Sequence, residues 1–207
     1  MIKNLLLDMG GVILGVDYTR VVSAFKECGI KDFETIYTQS KQLPLIDDFE
    51  KGNITIAEFH NGVRDLVKKD LTDSQIDKAW NSMILDVKKD VIAIIGELKM
   101  KYEGIYLFSN TNEIHINYVK KDFQEKIGFD VFSCLFNKSY FSNEIHQRKP
   151  DKESFQYVVD DSKIKKEETL FIDDTIQNIE GAKAFGMNAY WLTNGETLID
   201  LHNKSII

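Results

Sequence analysis

The 207-residue chain has two cysteines, two prolines and more acid than base, and each shortage excludes something. Cys28 and Cys134 stand alone and cannot form a disulfide framework, so a reducing, cytoplasmic compartment is expected, with both thiols partly buried. Lys and Arg number 26 against 33 Asp and Glu, a formal charge of −7. That balance argues against a nucleic acid as the main partner, because phosphate backbones require a basic footprint. No apolar run approaches the length a bilayer needs, so no membrane partner is expected. The opening, with Lys3 and then Leu5-Leu6-Leu7, superficially resembles a signal peptide, but Asp8 interrupts it and that reading is rejected. No repeat, low-complexity tract or long linker breaks the chain, which fits one core or one core plus an insertion.

What is present is a set of short, continuous apolar runs separated by helical patterns. Residues 2–7, 104–109, 169–172 and 188–192 read as buried strands, and 130–136 as a weaker fifth. Such runs alternating with helices indicate an α/β fold, a parallel sheet covered on both faces. Helical spacing fills 87–101, the stretch after Pro150, and 175–185, where Gly186 is the expected stop. The segment 18–86 lacks strand-like runs. It reads as helices over 18–28, 32–42, 45–51, 55–69 and 72–85, with Thr55…Glu58 and Thr72…Gln75 as capping boxes. A helical insertion after the first strand has this shape.

Ligands in open α/β sheets bind beyond the carboxyl ends of the strands. Asp8, Ser109 and the Asp173-Asp174 pair each close a predicted strand, and Lys149 stands in a loop before Pro150. A carboxylate beside a divalent cation attacks phosphorus and forms an acyl phosphate. Asp8 is the candidate nucleophile. Asp8, Asp173, Asp174 and the Gly10 carbonyl are candidate ligands for Mg²⁺, a hard, oxygen-seeking cation. Ser109, with Asn110 and Thr111 following it, would bind phosphoryl oxygens, Lys149 would offset their charge and orient Asp8, and Asn178 would support the metal shell. Taken singly these residues have blander readings: a turn former, a helix cap, a solvated lysine. The ordered set is the informative object. The four histidines, His60, His115, His146 and His202, show no ligand spacing and read as surface or capping residues.

In this order the segments Leu6-Leu7-Asp8-Met9-Gly10-Gly11-Val12, Leu107-Phe108-Ser109-Asn110, Lys149-Pro150 and Phe171-Ile172-Asp173-Asp174 resemble the motifs of the haloacid dehalogenase superfamily of phosphatases. The chain is most similar to its sugar-phosphate (glucose-1-phosphate-type) branch. The resemblance implies a Rossmann-like core over 1–16 and 87–207, with a helical cap over 17–86. It implies a Mg²⁺-dependent phosphatase of a small phosphorylated metabolite, with Gly11 joining Ser109, Asn110, Thr111 and Lys149 among the phosphate-binding residues. A small-molecule phosphate substrate and a monomer or weak homodimer are expected. Tyr18, Arg20, Phe49, Phe59 and Trp80 are candidate pocket residues from the cap, with helix packing as the alternative for each.

One position departs from the family. Most members carry a second Asp two residues after the nucleophile as general acid, and here it is Gly10. Such an acid contributes about 10²–10⁴-fold. Three readings stand: a slow enzyme, Asp17 as replacement, or an easy leaving group such as the hemiacetal hydroxyl of a sugar 1-phosphate, the reading favoured. Asp17 also reads as a helix cap. Two other functions remain open. One is a haloacid dehalogenase, which uses a nucleophilic Asp but no metal. The other is a catalytically weak phosphate-binding or regulatory protein.

Overall fold

Leu5, Leu6 and Leu7 are wholly buried because they alternate across the central strand of a sheet covered on both sides. The computed structural model describes residues 1–30, 33, 43–193 and 195–207. Its strands are β1 (Asn4–Leu7), β2 (Leu14–Val16), β3 (Ile84–Val87), β4 (Gly104–Ser109), β5 (Lys138–Phe141), β6 (Thr169–Asp173) and β7 (Asn188–Trp191). Five of them form a parallel sheet in the order β5-β4-β1-β6-β7. Leu7 is level with both Leu107 and Ile172, so the carboxyl ends of β1, β4 and β6 finish side by side. That register brings Asp8, Ser109 and Asp173 to one edge.

The helices follow from the same patterns. α1 (Tyr18–Glu27), α2 (Pro44–Glu50), α3 (Ile56–Val67) and α4 (Asp73–Asn81) lie between β2 and β3. Both expected capping boxes form: Thr55 and Glu58 exchange hydrogen bonds at the start of α3, and Thr72 and Gln75 at the start of α4. These helices bury Val21, Phe25, Phe49, Phe59, Ile76 and Trp80 against one another in a cluster of their own. Of the expected helix over 32–42, Phe33 alone lies among the described residues.

The remaining helices sandwich the sheet. α5 (Lys89–Lys101), α6 (Glu113–Lys126), α7 (Val131–Leu135) and, near the C-terminus, Leu198–Asn203 cover the face bearing Leu5, Leu7, Ile105 and Leu107. α8 (Ser142–Ile145) is one turn after β5. α9 (Lys152–Ser162) and α10 (Ile176–Phe185) cover the face bearing Leu6, Phe108 and Phe171. Gly186 ends α10 at φ 91°, the left-handed conformation that glycine adopts without strain.

Three expectations need correction. Residues 131–135 are a helix, because the Asp130 side chain accepts from the amides of Phe132 and Ser133 and starts a turn. A short apolar run does not by itself distinguish helix from strand. The edge strand is β5, four residues beginning with Lys138 and Ser139, whose polar start hid it. Residues 84–87, of which 84–85 read as the end of one helix and 87 as the start of the next, form β3 and pair antiparallel with β2. Cys134 is exposed rather than partly buried, whereas Cys28 is half-buried.

Candidate active site

At the end of β1 the chain turns so that the Asp8 amide donates to Ile172 O at 2.9 Å and Ile13 N bonds back to Met9 O. Gly11 sits in this turn at φ 71°, where a Cβ would lie 2.1 Å from Asp174 Oδ2. Only glycine lets the Asp173-Asp174 turn close on the Asp8 turn. The Gly11 amide, expected to bind phosphate, donates to Leu14 O at 2.8 Å, and Gly11 is not among the described residues lining the cavity over Asp8.

Lys149 is 1% exposed, and each ammonium hydrogen has an acceptor. Nζ donates to Asp8 Oδ1 at 2.8 Å, Asp173 Oδ2 at 2.6 Å and Phe108 O at 2.8 Å, over the rings of Phe108 and Phe171. Asn110 holds the Lys149 backbone from both sides: its Nδ2 donates to Lys149 O, and its Oδ1 accepts from Lys149 N. Burial opposes the lysine charge, but the Asp173 and Asp8 carboxylates outweigh it and hold its pKa above the ordinary value.

Asp8, Asp173 and Asp174 each offer an oxygen within 4.8 Å of the others. Burial pushes the Asp8 carboxyl up to about 7; Lys149 opposes the shift, and the Asp173 and Asp174 charges add to it. Asp174 is also raised, by burial and then by Asp173. Three carboxylates around one ammonium leave the cluster anionic, and their hard oxygens suit a divalent cation such as Mg²⁺. The two aspartates differ. Both Asp173 oxygens are engaged, by Lys149, Asn178 Nδ2 and the Thr175 amide. Asp174 reaches the cavity, and its carboxylate takes a hydrogen bond from Thr175 Oγ1 at 3.2 Å.

A cavity of about 600 Å³ opens over this cluster. Asp8, Gly10, Ser109, Asn110, Thr111, Lys149 and Asp174 line it, together with Tyr18 and Trp80 from the insertion. Ser109 is 2% exposed, and its hydroxyl makes only a long 3.5 Å contact to Asn110 O. The Thr111 amide is committed to Ser142 Oγ at 2.8 Å. Phe49 and Phe59 stack at 4.2 Å in the packing of the inserted helices, and neither lines the cavity; nor does Arg20.

Asp17 also stands elsewhere. It caps α1, accepting from the Thr19 amide and hydroxyl, and these bonds hold its carboxyl below the usual carboxylate range. Asp17 is not among the described residues that line the cavity, and its helix-cap reading is the one its hydrogen bonds support.

Glu50 on α2, His115 and Trp191 are cavity residues outside the motif segments, and Arg148 joins them from the position before Lys149. Arg148 Nη2 meets Glu50 Oε2 at 3.1 Å, and Nη1 meets Asp47 Oδ1 at 2.8 Å. His115, read as surface, stacks on Trp80 with its Nε2 3.2 Å from Trp80 O. A carbonyl only accepts, so Nε2 carries the proton and Nδ1 accepts from Asn112 Nδ2. Burial lowers this imidazole to about 4, against the opposing bond to Trp80, so it is neutral with both nitrogens engaged. Trp191 Nε1 donates to Asp174 O at 2.9 Å and braces the metal-side turn.

Residues 2–186 match a family described as haloacid dehalogenase-like hydrolase. The chain is 30% identical over 195 residues to a D-ribitol-5-phosphate phosphatase of Bacteroides thetaiotaomicron, with 94% of each chain covered. It resembles, with TM-score 0.90 and 38% identity, the crystal structure of a haloacid dehalogenase family enzyme from Bacteroides thetaiotaomicron. That structure is a point mutant in complex with magnesium and inorganic phosphate, and 95% of this chain and 96% of that one are covered. A haloacid dehalogenase-like hydrolase structure from Porphyromonas gingivalis matches with TM-score 0.89 and 29% identity over 100% of this chain and 98% of that one.

Proposed function

This chain belongs to the haloacid dehalogenase-like hydrolase family, and from that premise we propose that it is a Mg²⁺-dependent phosphatase of a small phosphorylated sugar or polyol. The observation that carries the reading is the cluster of buried Asp8, Lys149 and Asp173 with the more exposed Asp174 at one wall of a cavity wide enough for such a substrate. The relatives' ribitol-phosphate phosphatase activity and magnesium–phosphate complex support it.

Asp8, Asp174 and the Gly10 carbonyl would hold the cation directly, because both Asp173 oxygens already have partners; Asp173 would act on the shell around it, with Asn178. Bound there, Mg²⁺ supplies positive charge that lets two anions, carboxylate and phosphate, come into contact. Asp8 Oδ attacks phosphorus, the P–O bond to the leaving group breaks, and the alkoxide takes a proton from solvent. Ser109 donates to a phosphoryl oxygen, and Lys149 keeps the Asp8 carboxylate oriented. Water then attacks the acyl phosphate, releasing phosphate and restoring Asp8. Residues 17–86 act as a cap over a core of 1–16 and 87–207, limiting the cavity to the few waters that protonate the leaving group and then attack the acyl phosphate.

A panel of phosphorylated sugars and polyols assayed with Mg²⁺ tests this reading. Turnover should fall by about 10²-fold or more on adding EDTA and return with Mg²⁺. EDTA-insensitive turnover, or dehalogenation of a haloacid in place of phosphate release, would contradict it.

The vacant acid position makes a second prediction. A Cβ on Gly10 would lie 3.1 Å from Val16 Cγ2, so a side chain fits once Val16 gives a few tenths of an ångström. Gly10→Asp should raise kcat/KM on ordinary alkyl phosphates by about 10²-fold. Anomeric phosphates, whose leaving groups need less protonation, should gain less than about threefold. Equal gains would remove the leaving-group explanation.

A further inference from the structure

The cations around the cavity are already committed. Among the described lining residues they are Lys149 and Arg148. Lys149 has three acceptors. Arg148 is held by two carboxylates of α2, Asp47 and Glu50. Asp47 in turn holds Lys51 at 2.8 Å, so the nearby ammonium is paired as well. The lining imidazole, His115, is neutral with both nitrogens bonded. A phosphate and its divalent cation would balance the carboxylates at one wall. A second anion on the substrate would then face the Glu50 carboxylate with no uncommitted positive charge among the described lining residues to receive it, and a buried unpaired charge is strongly unfavourable.

Uncharged hydroxyls meet the opposite situation. The Glu50 carboxylate accepts hydrogen bonds, and the Tyr18 phenol donates them. Trp80, Met83 and Ile84 offer apolar surface to a carbon chain. Glu50 belongs to the inserted helices, and Arg148 directly precedes Lys149, so the pair forms only with the insertion docked on the sheet.

We propose that the Glu50–Arg148 ion pair determines substrate charge: the group esterified to phosphate is an uncharged sugar or polyol, and carboxylated or doubly phosphorylated analogues are rejected. This rests on the phosphatase reading above. Rejection by an arrangement unfavourable to the wrong ligand is a common source of specificity.

Two substrates of equal length isolate the effect: a pentitol phosphate and the pentonate phosphate, which carries a terminal carboxylate in place of a hydroxymethyl. The Mg²⁺-loaded protein should prefer the pentitol ester by about 100-fold in kcat/KM. Glu50→Gln should narrow that ratio by about tenfold, mainly through KM, because Arg148 loses one carboxylate and the cavity one negative charge. Asp48→Asn is the control. Asp48 carries the same charge on the same helix but bonds Asn53 and does not line the cavity, so the ratio should stay within about twofold of wild type. A wild-type ratio near one, which needs no variant to fold, overturns the proposal. So do equal responses of the two variants, which would mark a general effect of charge on α2 rather than of the pair, and hydrolysis of an aryl phosphate with neither pentose derivative accepted. If the wild type hydrolyses no phosphomonoester at all, the phosphatase reading fails first and this proposal falls with it.

Discussion

Asp8→Asn is expected to lower kcat/KM by about 10³–10⁶-fold while leaving the protein folded. The amide has the shape of the carboxylate but no anionic oxygen to attack phosphorus. Lys149 would keep its bonds to Phe108 O and Asp173, so the loop that carries it has no reason to move. Removing one of three crowded carboxylates also relieves repulsion, so the thermal midpoint without metal should hold or rise. Steady-state kinetics and calorimetry on the purified variant check both statements. A residual rate within tenfold of wild type would remove Asp8 from the chemistry. A large fall in midpoint would mean that the lost activity reports unfolding.

Lys149→Met should damage activity and stability together. Methionine matches the length of the chain lying between Phe108 and Phe171, yet it leaves Asp8 and Asp173 facing each other without the ammonium. Breaking a buried ion pair by removing one partner costs about 3–5 kcal/mol. For a chain of this size that is a fall of roughly 10 °C in the thermal midpoint. Added Mg²⁺ should recover part of it, since the cation replaces some of the missing charge and stabilises the folded state by binding it. Lys149→Arg should not rescue turnover, because a planar fork cannot reproduce three bonds converging on one nitrogen. Calorimetry with and without Mg²⁺ reads the first two effects and the kinetic assay the third. A midpoint unchanged in Lys149→Met would show that the lysine is not what compensates the buried carboxylates.

Much of this was legible in the residues because single-strand chemistry and site chemistry coincide. A run such as Ile2 to Leu7 must be buried on both faces, and a carboxylate at its end must then lie at the sheet's carboxyl edge. The capping boxes at Thr55 and Thr72 are equally local, and both formed. What escaped was decided by partners remote in sequence. β5 is a strand because β4 has an open edge, although Lys138 and Ser139 carry no strand signal. Val131 to Leu135 has a strand-like composition, and Asp130 turns it into a helix. Glu50 faces the cavity because α2 docks beside Arg148, a contact spanning about a hundred residues that no periodicity records. Asp17, nearer Asp8 in the chain, is drawn instead into capping α1.

The most direct test of the account is to look for phosphate on the protein during turnover. Wild-type enzyme mixed with Mg²⁺ and a radiolabelled sugar phosphate, quenched in acid and digested, should yield one labelled peptide, the one containing Asp8. Its label should survive acid and leave with hydroxylamine, as an acyl phosphate does, and should be missing from Asp8→Asn. Turnover that leaves no labelled protein, or label on a residue such as Ser109 or His115, would contradict the claim that Asp8 carries the phosphoryl group.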